Sequence, residues 1–323
     1  MLQFEDALSI INEQIQQISY PPQPENLYNP IAYLLSLKGK KIRPAITLLA
    51  CNLYQDDTNE AINPALAWEI FHNFTLMHDD LMDQADVRRG QTTVHKKWDE
   101  NTAILSGDSM LIFSYIFMAK APERKLKVLL DLFSRTANEI CAGQQYDMDF
   151  ETRPDVSEAE YIQMILLKTA VMIGACLQTG GIVGGASLED QVLLYEFGIN
   201  LGIAFQIRDD LLDVYGDPSV FGKQIGGDIL SNKKTFLLVQ ALNQAEGETK
   251  KTLLSWLSTT VRSDEKIESV KAIYNNLDVR KKAEDKINEY YLRATNALDK
   301  LAVPAERKSI LSEFARNLMG REA

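Results

Sequence analysis

The 323 residues carry a formal net charge of -11, with 46% hydrophobic and 24% charged side chains. These proportions exclude a disordered chain, and the acidic surplus argues against a nucleic-acid partner, because phosphate backbones are bound by basic surfaces. The length suits one large domain or two small ones, and either can bury a sizeable core.

The first stretch, MLQFEDALSIINEQIQQISY, has acidic residues where a signal peptide needs lysines, and its apolar residues recur at helical spacing. It reads as an amphipathic helix. PPQP at 21–24 ends it, and KGKKIRP then gathers Lys38, Lys40, Lys41 and Arg43 ahead of a helix with Pro44 in its first turn. The next helix runs through FHNFTLM into HDDLMDQADVRRG. There Asp79 and Asp83 fall one turn apart on one face, Asp80 about 100° round, with Arg88 and Arg89 following. Crowded like charges need either water or a cation between them.

RPDVSEAE sets Pro154 before a Ser157 to Glu160 capping box. Lys168 then interrupts the apolar run ILLKTAVMIGA, where a charge is costly unless paired. AVMIGACLQTGGIVGGAS, from Ala170, lacks the unbroken run of roughly 20 apolar residues that a bilayer span needs, so a buried core helix is predicted. From Ser187 to Tyr215 a helix of about 40 Å follows. It ends in RDDLLD, so Asp209, Asp210 and Asp213 repeat the spacing of the first cluster. FGKQIGGDILSNKKT supplies Lys223, Lys233 and Lys234, and the charged segment 262–290 reads as a solvated helical face.

No run alternates like a strand and no linker divides the chain, so the expectation is an all-α bundle forming a single domain over residues 1–323. Cys51, Cys141 and Cys176 are widely spaced without a CxxC pair, which fits a reducing cytoplasm. His72, His78 and His95 offer neither a helical ligand pair nor HExxH, so zinc is not expected. Two DDxxD helices facing one another across a bundle would instead suit magnesium, completed by water and substrate phosphate.

Taken in order, KGKKIRP, HDDLMDQADVRRG, the Lys168-Thr169 pair, FQIRDDLLD and GKQIGGDILSNKKT resemble the successive motifs of the trans-isoprenyl diphosphate synthase (polyprenyl synthetase) family. The resemblance implies an all-α isoprenoid-synthase bundle around a deep central cavity, a homodimer, and condensation of isopentenyl diphosphate with an allylic diphosphate, releasing diphosphate. It implies that Asp79 and Asp83 hold two magnesium ions with Asp80 in support, and that Asp209 and Asp213, beside Asp210, hold a third. Arg88, Lys168, Thr169, Gln206, Lys223 and Lys233 match allylic-substrate positions, and Lys168 and Lys223 are counted with the catalytic groups. Lys40, Arg43, His72 and Arg89 match the isopentenyl diphosphate site, a set without a carboxylate. Ionisation of the allylic carbon–oxygen bond is then assisted by cations around the departing diphosphate, with proton loss to that diphosphate.

Two departures from the family pattern stand out. Lys38-Gly39-Lys40-Lys41 replaces Gly-Gly-Lys-Arg, and Asn232 takes the place of a glycine, as a residue that tolerates left-handed backbone. A class I terpene cyclase would have a mixed second metal motif and no isopentenyl diphosphate site, whereas a non-catalytic partner subunit would have lost aspartates. For product length, Phe74 and Phe71 lie about 7.5 and 12 Å upstream of Asp79 along the helix. An aromatic at Phe74 with Thr75 beside it resembles short-chain synthases making geranylgeranyl diphosphate, with farnesyl diphosphate the alternative; Phe71 is equally well a core residue.

Overall fold

The computed structural model describes residues 1–216, 226–259 and 263–320. In chain order the helices are α1 (Phe4–Gln16), α2 (Glu25–Ser36), α3 (Ile42–Asn52), α4 (Asn59–Met82), α5 (Val94–Lys97), α6 (Glu100–Met118), α7 (Glu123–Thr152), α8 (Glu158–Ile165), a π-helical turn (Leu166–Ala170) and α9 (Val171–Gly184). There follow α10 (Leu188–Tyr215), α11 (Gly227–Leu230), α12 (Phe236–Gln244), α13 (Gly247–Ser258), α14 (Asp264–Asn276), α15 (Val279–Asp299) and α16 (Ala305–Met319). The fold is all-α, as predicted. The one addition among the described residues is a small hairpin, β1 (Val87–Arg88) with β2 (Gln91–Thr92), closed by Arg89 and Gly90 at φ 53 and 75. Positive φ at both turn residues matches the right-handed twist of a tight hairpin, and two-residue strands are too short to show alternation in a sequence.

The chain groups into two compact units. The first comprises Met1–Ser134, Ala175–Leu194 and Ala302–Leu311; the second comprises Arg135–Gly174, Tyr195–Leu301 and the described residues of Ser312–Ala323. In the first unit α4 packs against α3 and α6, and α1 and α2 lie against α3 and α6 respectively. Consecutive residues of α4 from Ala65 to Phe71 are buried, so this helix is enclosed rather than amphipathic. Trp68 donates its indole N–H to Thr179 Oγ1 at 3.0 Å and stacks with Phe71 and Phe133. Gly180 lets α9 approach α3 closely: a Cβ there would stand 2.2 Å from the Thr47 carbonyl oxygen.

In the second unit a continuous apolar core joins Phe150, Tyr161, Ile207, Leu211, Phe236 and Tyr274. The capping box at Ser157 and Glu160 forms as the sequence predicts, and Glu160 is held down to about 2 by the Ser157 N–H, with Arg153 assisting. Against expectation, the charged segment is not a uniformly solvated face. Lys266 on α14 is 1% exposed and donates to Asn232 Oδ1 at 2.7 Å. A buried lysine is tolerable where its ammonium is hydrogen-bonded, a contact that sequence spacing does not reveal.

The stretch 158–184 is long and apolar enough to cross a membrane by length and composition, and 72% of its apolar window is buried inside the fold. All three cysteines are free, with Cys51 and Cys176 buried and Cys141 exposed.

Candidate active site

In the first unit, α4 delivers the first acidic cluster at its C-terminal end. Asp83 caps the helix, with its N–H donating to the Asp79 carbonyl at 2.8 Å, and both side chains reach solvent, Asp83 more than Asp79. Asp80 points the other way: it is 2% exposed and is gripped by Arg88, whose Nε donates to Oδ1 and Oδ2 at 2.9 and 3.2 Å and whose Nη2 also donates to Oδ1. The hairpin returns Arg88 to the helix that carries its partner. This bidentate charge-assisted pairing spends most of one edge of the guanidinium on Asp80.

The same unit assembles a cationic cluster. Arg43 Nη1 lies 3.2 Å from His72 Nε2. Burial, then the neighbouring Arg43, Arg89 and Arg88 charges, hold the His72 imidazole well below its ordinary pKa, so it is neutral; because guanidinium only donates, Nε2 accepts and the proton sits on Nδ1. The buried Arg43 Nε finds no acceptor among the described residues. Lys41 caps α3 in a left-handed conformation at φ 40, and burial lowers its pKa. Lys38 and Lys40 are exposed beside it. The set predicted here contains no carboxylate, but the structure adds one: Glu69, 2% exposed, whose Oε1 accepts from Asn73 Nδ2 at 3.0 Å, while Asn73 Oδ1 accepts from Arg89 Nη1 at 3.4 Å. In sequence Glu69 and Asn73 sit inside an apolar helical run, and the partner Arg89 reaches Asn73 from the hairpin turn.

Upstream on α4, Phe71 is 1% exposed and embedded among Trp68 and Phe133, which makes it a core residue. Phe74 is half-buried between Phe71 and His78, with ring centroids 5.4 and 4.9 Å away. Thr75 is half-buried and donates its hydroxyl to the His72 carbonyl at 2.8 Å.

The second unit brings Lys168, Thr169, Gln206, Asp210 and Lys233 into one pocket of about 60 Å³, together with Asp147, Tyr161 and Lys234. Lys168 and Thr169 lie in the π-helical turn, an insertion in a helix that often marks a functional position. The charge in the apolar run is paired, Lys168 Nζ donating to Asp147 Oδ2 at 2.5 Å. The turn is pressed against α7 at Gly143, where a Cβ would meet the Lys168 nitrogen at 2.2 Å. Asp147 and Tyr161 carry no signal in the sequence, because each belongs to a different helix from its partner and no periodicity links helices.

Asp210 is 3% exposed and accepts from Tyr161 Oη at 2.5 Å, from the Phe236 N–H at 2.9 Å and from Gln206 Nε2 at 3.3 Å. Burial, then nearby Asp228, pushes its carboxyl up to about 7 against the Tyr161 and Phe236 hydrogen bonds and the Lys233 charge. Asp213 Oδ2 accepts the Asp228 N–H at 3.0 Å, and Asp209 and Asp213 are both half-buried. Asn232 adopts φ 55, the left-handed backbone expected of it, and its amide donates to the Leu257 carbonyl at 3.0 Å. Lys223 lies outside the described residues.

Among the described residues no three His, Cys, Asp or Glu side chains converge as a ready-made metal cage. Each aspartate pair offers hard oxygen donors alone. Such a pair fits an ion that takes its remaining ligands from water and phosphate, which is the habit of magnesium.

An all-α fold bearing two DDxxD helix ends, with basic groups near each, defines an isoprenoid synthase. The chain belongs to the polyprenyl synthetase family, whose model matches residues 24–277. It is 40% identical over 238 residues, 73% of this chain and 74% of the relative, to a geranylgeranyl diphosphate synthase of Methanosarcina mazei. It is 38% identical over 253 residues, 73% and 74% of the two chains, to a geranylfarnesyl diphosphate synthase of Natronomonas pharaonis. A crystal structure of a geranylgeranyl pyrophosphate synthase superposes with a TM-score of 0.95 and 43% identity over 100% of both chains.

Proposed function

We propose that the protein is a short-chain prenyltransferase that condenses isopentenyl diphosphate with dimethylallyl, geranyl and farnesyl diphosphates to give geranylgeranyl diphosphate and free diphosphate. The observation that carries this reading is the cluster of Arg43, His72 and Arg89 in the same unit as Asp79 and Asp83. A class I terpene cyclase binds one diphosphate and has no use for a separate basic site, and both DDxxD motifs are complete, unlike those expected of an inactive subunit.

Asp79, Asp83, Asp209 and Asp213 would hold the magnesium ions, three in all, which when bound supply Lewis-acid stabilisation of the departing diphosphate. The protein's own groups do the rest. Lys168, Lys233 and Arg88 donate to the leaving diphosphate as negative charge grows on it, Thr169 and Gln206 orient it, and Lys40, Arg43, His72 and Arg89 fix the diphosphate of isopentenyl diphosphate. Neutral His72 contributes an Nδ1–H donor rather than a charge. The double bond then attacks the allylic carbon, and the proton leaves to the diphosphate, so no side-chain base is required.

Phe74 is proposed as the floor of the chain-length channel, supported by its half-buried place one helical turn from His78. Chromatography of dephosphorylated products, made with isopentenyl diphosphate and each allylic primer in magnesium buffer, tests the reading. A main product of four isoprene units supports it, three units favours the farnesyl alternative, and no condensation refutes it. Phe74→Ala is expected to lengthen the product and Thr75→Phe to shorten it; unchanged length in Phe74→Ala removes the floor from that position.

The protein is assigned to the cytoplasm as a single catalytic domain over residues 1–323, with the 158–184 helical stretch in the core rather than in a membrane. A homodimer is proposed, supported by Leu105, Ile112 and Ile116, which leave an apolar stripe exposed along α6. Light scattering of the purified protein tests it.

A further inference from the structure

A buried carboxylate beside a diphosphate site requires an explanation, because it repels the ligand and is costly to bury without hydrogen bonds. Glu69 receives both amide hydrogens of Asn73: Nδ2 donates to the Glu69 carbonyl at 2.8 Å and to Oε1 at 3.0 Å. Asn73 is 0% exposed. With Nδ2 committed on both sides, the amide cannot flip, and Oδ1 must face the Arg89 guanidinium, where only an acceptor fits. The guanidinium also rests on Gly39, where a Cβ would stand 2.8 Å from its central carbon. The one glycine kept from the Gly-Gly pair of the basic motif is thus the residue under Arg89.

We propose that Glu69, by orienting Asn73, and Gly39, by leaving room, are positioning residues that aim Arg89 at the diphosphate of isopentenyl diphosphate; this rests on the assignment of Arg89 to that substrate. Glu69 reaches Arg89 by hydrogen bond through the neutral Asn73 amide, so the role assigned to it is to hold a direction, beside the charge that Arg89, Lys41 and Arg43 also feel. Burial raises the Glu69 pKa above the usual carboxylate range while Asn73 and the neighbouring cations pull it back, in keeping with a group held for its hydrogen bonds.

The test is steady-state kinetics on the full-length enzyme, with each substrate varied in turn. Glu69→Leu and Asn73→Ala should each raise the KM for isopentenyl diphosphate about tenfold, the worth of one well-aimed charge-assisted hydrogen bond, with kcat and the allylic KM within about twofold. Glu69→Gln keeps an acceptor for Asn73 and should recover most of the affinity. In an Arg89→Ala background none of these changes should raise KM further. Should the core variants fail to fold, Gly39→Ala carries the test, because the nearest atoms its new methyl meets are the tip of the flexible Arg89 side chain; it too should raise the KM for isopentenyl diphosphate and be silent in Arg89→Ala. Equal rises in both KM values, additivity with Arg89→Ala, or an unchanged KM in Gly39→Ala would overturn the proposal. Arg89→Ala with normal affinity for isopentenyl diphosphate would overturn the underlying assignment first, and the proposal with it.

Discussion

The two aspartate-rich motifs have the same spacing and different hydrogen-bond partners at their middle residue. Asp80 and Asp210 are both buried, at 2% and 3% exposure, so in each motif the second aspartate turns inward while the first and last reach outward. Asp80 meets a full positive charge, the forked guanidinium of Arg88. Asp210 is hydrogen-bonded by neutral donors, Tyr161, Gln206 and the first N–H of α12, and although the Lys233 charge pulls its carboxyl down, burial and the Asp228 charge push it up to about 7. A DDxxD pattern therefore specifies where carboxylates lie on a helix. What receives each buried carboxylate depends on the neighbouring elements, because a buried carboxylate needs a cation or strong donors to offset the loss of water.

The largest expected effect tests what the motifs share. Asp79→Ala and Asp209→Ala should each cut turnover on the order of a thousandfold or more at saturating magnesium, since each removes charge stabilisation at the leaving group. Circular dichroism should show the helices intact. Near-normal turnover in either variant would break the equivalence of the two outer positions.

The next test separates the motifs. Asp80→Asn leaves Arg88, about one-third exposed, without its counter-charge, and should cost about 2 kcal/mol in urea unfolding after allowance for the solvent that screens it. Asp210→Asn keeps an oxygen for Tyr161 and Phe236 and should cost about 1 kcal/mol or less. Equal losses would show that the partner's charge is immaterial.

The last test, of similar size to Asp210→Asn, concerns a residue with no counterpart at the first motif. Tyr161→Phe removes one donor from Asp210 without creating a cavity, and should lower stability by about 1 kcal/mol. A calorimetric melting temperature identical to that of the parent protein would mean that the Phe236 N–H, Gln206 and the nearby Lys233 charge suffice for the buried carboxylate.

Much of the fold is legible in the sequence. The helix from Leu188 to Tyr215, the break at PPQP and the Ser157–Glu160 capping box follow from local rules of periodicity, proline and capping, which act within a few residues. Asn232 in left-handed backbone belongs to the same class, being a property of one residue and its turn. The outer aspartates were also legible, because residues four apart share a helical face whatever surrounds them.

What sequence by itself determined, then, is which residue types recur at which spacing along each helix. Tertiary structure alone decided that Lys168 pairs with Asp147 from another helix, that Lys266 in a charged segment is buried, and that Glu69 enters a cluster expected to lack acids. The reason is physical: hydrogen bonds and ion pairs act over about 3 Å through space, while helical periodicity ranks residues only along one axis. Contacts between helices depend on which of several possible faces meet, and that is settled by the packing of the whole core.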